Sequence, residues 1–438
     1  MHSKRSIKIA SLLMILAFVA AACASPAAAP TTAPATSVPA TSAPATSAPE
    51  ATVAPTTAPE PTAAAGSFQI PEIESGKFNV AMVLIGPHDD GGWSQSHYEG
   101  LNYLEKNVPN SHTAYVELVP EGAEAEQVIR SLARKGFDLI ITTSFGYMDA
   151  TGTVAEEFPD QTFIHVSGYK SNLKNFGNLF GAMEDMKYVT GMLAGSRALK
   201  DGNPKIGYVA TFPIPEELRL GNAFALGMRK TCPTCTLDVR WINTWHDPVK
   251  ERDAAASLFD AGADVVFTGA DTPAVADVAQ EKGKWAVTYD HPNSCTVERC
   301  LTAPYWIWGP EYTRIAELVK AKTYKAGYEY FDGDSKAMGL VGFMDGQTVS
   351  KGVSDLPEAD VTKVKDTLAK ILAGTFGRFD VFAGPIKDNT GKEILAAGAK
   401  LEQSDLDQFP PGAPGNECKT CMYWWGDGIT SELPKLTP

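Results

Sequence analysis

The chain has 438 residues, a formal net charge of −14 and 44% hydrophobic side chains. An acidic balance of that size argues against nucleic acid or an anionic membrane surface as partner, because both attract basic patches. The stretch from Phe68 to Pro438 is longer than the roughly 250–300 residues at which a single core stops growing, so two domains are expected.

The chain opens with Lys4, Arg5 and Lys8, then an apolar run from Ile9 to Val19 closed by Ala20-Ala21-Ala22-Cys23. This is the pattern of a secretory signal; the run is too short and wrongly flanked for a spanning helix. A Cys directly after small residues resembles a bacterial lipobox, although Ala20 stands where Leu is more usual, and makes Cys23 the expected lipidation site. Plain secretion is the alternative, and the chain is exported either way. Residues 24–66 are almost wholly Ala, Pro, Thr and Ser, with Glu50 and Glu60 as their charges. Such a segment cannot bury enough apolar surface to offset the entropy of ordering and reads as a partly stiff tether.

A first strand is predicted over Asn79 to Ile85, followed by Asp89-Asp90-Gly91-Gly92-Trp93-Ser94-Gln95 and a helix over about Ser94 to Asn107. An apolar run, a Gly-Gly turn and an aromatic at the head of a helix form the ligand-facing loop of an open α/β sheet, which gives Trp93 the role of a platform for a flat ligand. Strand and helix signals then alternate. Strands are expected at Ala114 to Leu118, Leu139 to Thr143, Thr162 to Val166 and Asn178 to Met183, with helices at Ala123 to Lys135 and Asp149 to Glu157. The pattern restarts with a helix over Tyr188 to Leu199, whose Gly191, Ala194, Gly195 and Ala198 offer a small-residue face. Strands follow at Ile206 to Ala210, Leu237 to Ile242, Val265 to Thr268 and Trp285 to Tyr289, separated by helices. Two such arrays with less regular elements after Cys300 predict crossovers between two lobes and a cleft at their boundary.

Six cysteines besides Cys23 fall in close pairs: Cys232/Cys235, Cys295/Cys300 and Cys418/Cys421. In an exported chain this favours local disulfides. A four-thiolate zinc site from the two Cys-x-x-Cys pairs is the competing reading, disfavoured by their separation and an oxidising compartment. A thioredoxin-like role is disfavoured because Cys232-Pro-Thr-Cys235 enters a strand rather than opening a helix.

At this point the sequence resembles the basic membrane protein family of solute-binding lipoproteins that serve ABC importers. The likeness is carried by Asp90-Gly-Gly-Trp93-Ser94-Gln95 with Tyr98-Glu99-Gly100, Phe145-Gly-Tyr-Met-Asp149, Tyr188-Val-Thr-Gly191, Asn243-Thr-Trp245-His-Asp247-Pro248, Tyr289-Asp290, Val381-Phe-Ala-Gly-Pro385 and Met422-Tyr-Trp-Trp425-Gly. It implies a type I periplasmic-binding fold: α/β, two Rossmann-like lobes joined by three crossovers around an interlobe cleft. The expected division is a signal at 1–23, a tether at 24–66, a first lobe from 76–186 with about 303–336, and a second from 187–302 with about 337–438.

The resemblance also implies a purine base or nucleoside as ligand, stacked on Trp93 and bound by a carboxylate at Asp290. Ser94 replaces the family's commoner Asn, and Trp245-His-Asp247-Pro248 is similar to the branch associated with free purine base. An importer permease is the implied partner; the chain is expected to be a monomer on the extracytoplasmic face of the cell membrane. Stacking contributes roughly 1–3 kcal/mol per base. Micromolar binding needs about 8 kcal/mol, so Trp93 requires partners. Phe145, Tyr147 and Phe212, each in a loop after a predicted strand, are candidates for a second aromatic, and Trp245 is a further one. Asp90, Ser94 and Gln95 complete the first loop. Asp271 and Asp290 sit past strand ends, where a carboxylate accepts hydrogen bonds from amine, ring N–H or hydroxyl groups. Helix capping competes for Asp271, ahead of Thr272-Pro273, and for Asp247 ahead of Pro248. No cofactor or metal is expected. An extracellular nucleoside-processing enzyme is disfavoured because the sequence shows no metal-ligand spacing, Walker loop or nucleophile elbow. A sensor that reports ligand to another protein is the remaining alternative.

Overall fold

The structure, a computed structural model, describes residues 68–410 and 417–435; the signal, Cys23 and the tether lie outside the described residues. Two parallel sheets organise it. The first contains β1 (Phe78–Val83), β2 (Ser111–Val116), β3 (Leu139–Thr142), β4 (Thr162–Val166) and β5 (Phe176–Gly181). Its helices are α1 (Trp93–Asn107), α2 (Ala123–Lys135) and α3 (Met148–Glu157). β1 and β3 are buried at every position, as expected of central strands covered on both faces.

The second array starts with α4 (Met183–Lys200) and runs through β6 (Lys205–Ala210), α5 (Pro215–Thr231), β7 (Thr236–Trp241), α6 (Pro248–Asp260), β8 (Val265–Thr268), α7 (Ala274–Lys282) and β9 (Trp285–Val287) to β10 (Cys300–Thr302). Its order is β10-β9-β8-β6-β7. The chain then leaves through β11 (Pro304–Trp306), and α8 (Gly309–Lys320) packs on α1. β12 (Tyr328–Phe331) adds to the first sheet beside β5, giving the order β12-β5-β4-β3-β1-β2. β13 (Met338–Leu340) pairs antiparallel with β11, and α9 (Lys351–Ser354) and α10 (Glu358–Leu372) pack on α4. The chain thus passes between the arrays after β5, after β10 and after β12: an α/β type I periplasmic-binding fold.

Close packing of α4 on α5 follows from their glycines. A Cβ at Gly191 would stand 2.1 Å from the Phe224 carbonyl oxygen, and one at Gly227 would stand 1.9 Å from that of Tyr188. The small-residue face read from the sequence is therefore a backbone-to-backbone contact. α4 begins at Met183, ahead of the expected Tyr188, because its first turns bury Glu184, Asp185 and Lys187, charges that hydropathy places outside a core. Of these, Glu184 is ion-paired, whereas both carboxylate oxygens of Asp185 are buried without a hydrogen-bond partner among the described residues. Arg219 Nε lies 3.4 Å from Glu184 Oε2 and its Nη1 3.3 Å from Asp407 Oδ1, and Tyr330 donates to Glu184 at 3.1 Å. The cysteine pairs Cys232–Cys235, Cys295–Cys300 and Cys418–Cys421 are joined as disulfides, with Cα separations of 5.3, 5.4 and 5.0 Å.

Candidate ligand-binding site

The carboxyl ends of both sheets face one another, and a small cavity lies between them. Ile85, Trp93, Ser144, Phe145 and Ser167 line it from the first lobe; Glu216, Trp245, Gly269, Asp271, Tyr289 and Asp290 line it from the second. Each comes from a loop after a parallel strand or from the helix start or strand end beside such a loop, where open α/β sheets present ligand contacts.

The first loop is built around Asp90. Its carboxylate accepts the backbone N–H groups of Gly92, Ser94 and Gln95 at 2.8, 2.9 and 3.0 Å, which turns the chain into α1. Ser94 accepts from the Gly86 N–H at 3.0 Å, and Gln95 accepts from Gly91 and donates to Glu99. These three side chains shape the loop and do not line the cavity. Trp93 does: its indole N–H donates to the Thr143 carbonyl at 2.6 Å, and His97, Trp306 and Trp308 meet it edge to face at 4.2, 6.1 and 5.9 Å. The ring is fixed on its rear side and along its edge, which pre-orients the part turned to the cavity.

Phe145 and Trp245 also line the cavity, and Phe212 packs behind Trp245 at 5.0 Å without reaching it. Tyr147 is fully buried and donates its hydroxyl to the Val119 carbonyl, so it belongs to the core of the first lobe. Asp247 caps α6, accepting from Val249 and Lys250 at 3.1 Å. The reciprocal bond comes from Glu251, whose Oε1 accepts the Asp247 N–H at 3.2 Å, one residue beyond the expected capping-box position. For Asp271 the capping reading is overturned: α7 has no side-chain cap among the described residues, and Thr272 takes the turn by accepting the Ala274 N–H at 3.2 Å.

Asp290 sits in the left-handed region with φ 69°, an uncommon conformation for a non-glycine residue. Bonds from several elements hold it there. Its carbonyl accepts from the Ser96 hydroxyl at 2.6 Å and the Trp306 N–H at 3.1 Å, and its Oδ1 accepts the Trp306 indole N–H at 2.9 Å. Burial raises the Asp290 carboxyl well above the usual range, against the opposing pull of Lys187. Burial raises Asp271 likewise, reinforced by Asp290 and Asp90. Lys187, pushed down to about 7 by burial, donates to the Thr268 carbonyl at 2.8 Å and lies 3.5 Å from the centre of the Tyr289 ring. Burial pushes the Glu216 carboxyl up to about 8, toward the protonated form, which can donate as well as accept.

Two polar atoms at this cavity, Asp271 Oδ2 and the Tyr289 hydroxyl oxygen, are buried without a hydrogen-bond partner among the described residues. Buried polar atoms are nearly always paired, so a lining that leaves them unmatched calls for a polar ligand. Glu216 and Tyr289 escaped the sequence reading because Glu216 follows a Pro at a helix start and Tyr289 reads as strand. Position after a strand was the available signal for Tyr289, and the helix start that follows β6 was the signal for Glu216.

The lobes touch across the cleft. Trp245 donates its indole N–H to Glu121 Oε1 at 3.0 Å, and His291 Nε2 lies 3.1 Å from Glu99 Oε1. Gly92 meets the backbone of Asp271 so closely that a Cβ there would stand 1.8 Å from the Asp271 carbonyl oxygen. The lobes are closed over the cavity.

Two α/β lobes closed on an aromatic and acidic slot define a solute-binding receptor of the periplasmic-binding class. The chain belongs to the family described as ABC transporter substrate-binding protein, PnrA-like, whose model matches residues 77–302. It is 34% identical over 330 residues to a purine-binding protein of Brucella abortus, covering 75% of this chain and 89% of that one. It is 36% identical over 249 residues to a protein of Haloferax volcanii provisionally named an ABC transporter glucose-binding protein, covering 57% of this chain and 62% of that one. Among solved structures, an ABC transporter solute-binding protein of Aeropyrum pernix is similar in fold, with a TM-score of 0.59 at 15% identity over 71% of this chain and 93% of that one.

Proposed function

We propose that the chain captures a purine, the free base in preference to the nucleoside, and delivers it to the membrane permease of an ABC importer. The observation that carries this reading is the slot itself: aromatic walls at Trp93, Phe145 and Trp245 enclose Glu216, Asp271, Tyr289 and Asp290. Flat aromatic walls suit a planar ring. The buried carboxyl groups and a phenol at its edge can accept from ring N–H and exocyclic amine groups and, where protonated, donate to a ring nitrogen. The 34% identity to a purine-binding protein supports the same class.

The protein works outside the cytoplasmic membrane as a non-catalytic monomer, held by a lipid on Cys23 through the 24–66 tether, with the signal removed. No helix among the described residues is long and apolar enough to cross a membrane. The test is a thermal-shift panel of purine bases, nucleosides, riboflavin and glucose, with the compounds recovered afterwards. A ligand that binds the native state raises the melting temperature by mass action. Purine bases are expected to give the largest rise and to be recovered unchanged. A rise with glucose alone, or turnover of any compound, contradicts the reading.

A further inference from the structure

Beside the slot lies a second cluster, formed by Asp90 of the first lobe with His246 and Asp271 of the second. One potential ligand atom from each lies within 4.8 Å of the other two. The sequence hides it, since the residues come from three different loops. Asp271 is 4% exposed, and its Oδ2 has no hydrogen-bond partner among the described residues; the same is true of His246 Nδ1. Asp90 already accepts three backbone N–H groups, which fixes its carboxylate without neutralising it.

Closing the cleft therefore drives two carboxylates from opposite lobes toward one another beside an imidazole whose Nδ1 is unmatched. Two carboxyl groups brought together out of water take up a proton or a counter-charge. Two carboxylates and an imidazole, with coordination positions left over, are the donors that first-row divalent ions accept, with Zn²⁺ held more tightly than Mn²⁺. We infer that Asp90, His246 and Asp271 form a divalent-cation site that staples the two lobes in the closed state, with Zn²⁺ as the ion held more tightly. The site would couple closure to metal: Asp90 joins the other two ligands only when the lobes meet.

This inference does not depend on the nature of the organic ligand. The test is calorimetric titration of the tag-free, chelator-treated and solute-free protein with Zn²⁺, Mn²⁺ and Ca²⁺, on wild type, His246→Gln and Asp271→Asn. Circular dichroism confirms that each variant is folded. Small-angle scattering of the same samples reads lobe closure. Wild type is expected to bind one Zn²⁺, more tightly than Mn²⁺, with the variants at least tenfold weaker. Ca²⁺ should bind more weakly than either, because the imidazole is a poor ligand for it. Zn²⁺ should also lower the radius of gyration of wild type and leave that of His246→Gln unaltered. The inference is overturned if no saturable site appears, or if the folded variants bind as wild type does through surface pairs such as His88 with Glu117. Binding lost in both variants without compaction of wild type also overturns it, since Asp90 would then not complete the site. A proton shared by the same groups would show as compaction on acidification that metal does not alter, and also counts against it.

Discussion

Trp93 serves two purposes at once. It is 8% exposed and packed edge to face among His97, Phe180, Trp306 and Trp308, yet it lines the cavity. Trp93→Ala therefore removes a core side chain as well as a platform, at a cost in stability of about 3–5 kcal/mol. Adenine affinity is expected to fall roughly 10- to 100-fold from lost stacking. Calorimetry with adenine, alongside the melting temperature, separates the two effects; Trp93→Phe should recover most of the stability. Unaltered adenine affinity in Trp93→Ala would remove Trp93 from the site.

His165 gives the pH dependence at the same scale. Its Nε2–H donates to the Ser144 carbonyl at 2.7 Å and Nδ1 accepts from Asn178 at 3.1 Å, so both ring nitrogens are used by the neutral form. Burial depresses its pKa from 6.5 to about 4. A depressed folded-state pKa contributes stability that is fully present above pH 6.5 and is lost as pH falls toward 4. Chemical denaturation at pH 7 and pH 4 should therefore show His165→Gln losing about 2–3 kcal/mol less than wild type over that interval. Parallel losses would contradict the assignment.

At the scale of elements, the Gly91-Gly92 turn is sharper than its composition suggested. Read as a flexible turn, it is at Gly92 a point of contact between lobes, with room for hydrogen alone opposite the Asp271 carbonyl. Gly92→Ala is expected to hold the cleft open: adenine affinity falls at least tenfold in calorimetry, while the ligand-free melting temperature moves little. Arg219 is the corresponding anchor between α4 and α5, and its loss strands Glu184 and Asp407. Breaking a buried ion pair from one side costs about 3–5 kcal/mol. Arg219→Met should lower the denaturant midpoint accordingly, and a change under 1 kcal/mol would show that the network does not stabilise the fold.

The same elements show what the sequence made legible. Alternating strands and helices, the restart near residue 188 and the loops after strands were readable because hydrophobic periodicity is local. β12 was not readable as part of the first sheet, since its four residues are all half-buried and its partner β5 lies far away in sequence. The start of α4 was missed because its first turns bury charged side chains, of which Glu184 finds its partners only in three dimensions. In the candidate site, Trp93, Phe145, Trp245, Asp271 and Asp290 line the cavity, whereas Phe212 lies behind Trp245. Ser94 and Gln95 spend their polar atoms on the loop and the start of α1, and Asp90 accepts three of the loop's N–H groups without reaching the cavity. Motif position tells which loop faces the cavity, and hydrogen bonding decides which of its side chains are free to do so.

At the scale of the whole molecule, the lobes are joined by crossovers and held shut by a few polar contacts and the Gly92 approach, an arrangement suited to hinge closure around a solute. The disulfides each span a short loop within one region. The central claim is that this closure encloses a purine base against Trp93. Calorimetric titration of solute-free protein with adenine, hypoxanthine, adenosine and glucose tests it most directly. One-to-one binding of a purine base, tighter than of adenosine and with the base recovered intact, is the predicted result; saturable binding of glucose without any purine binding would contradict it.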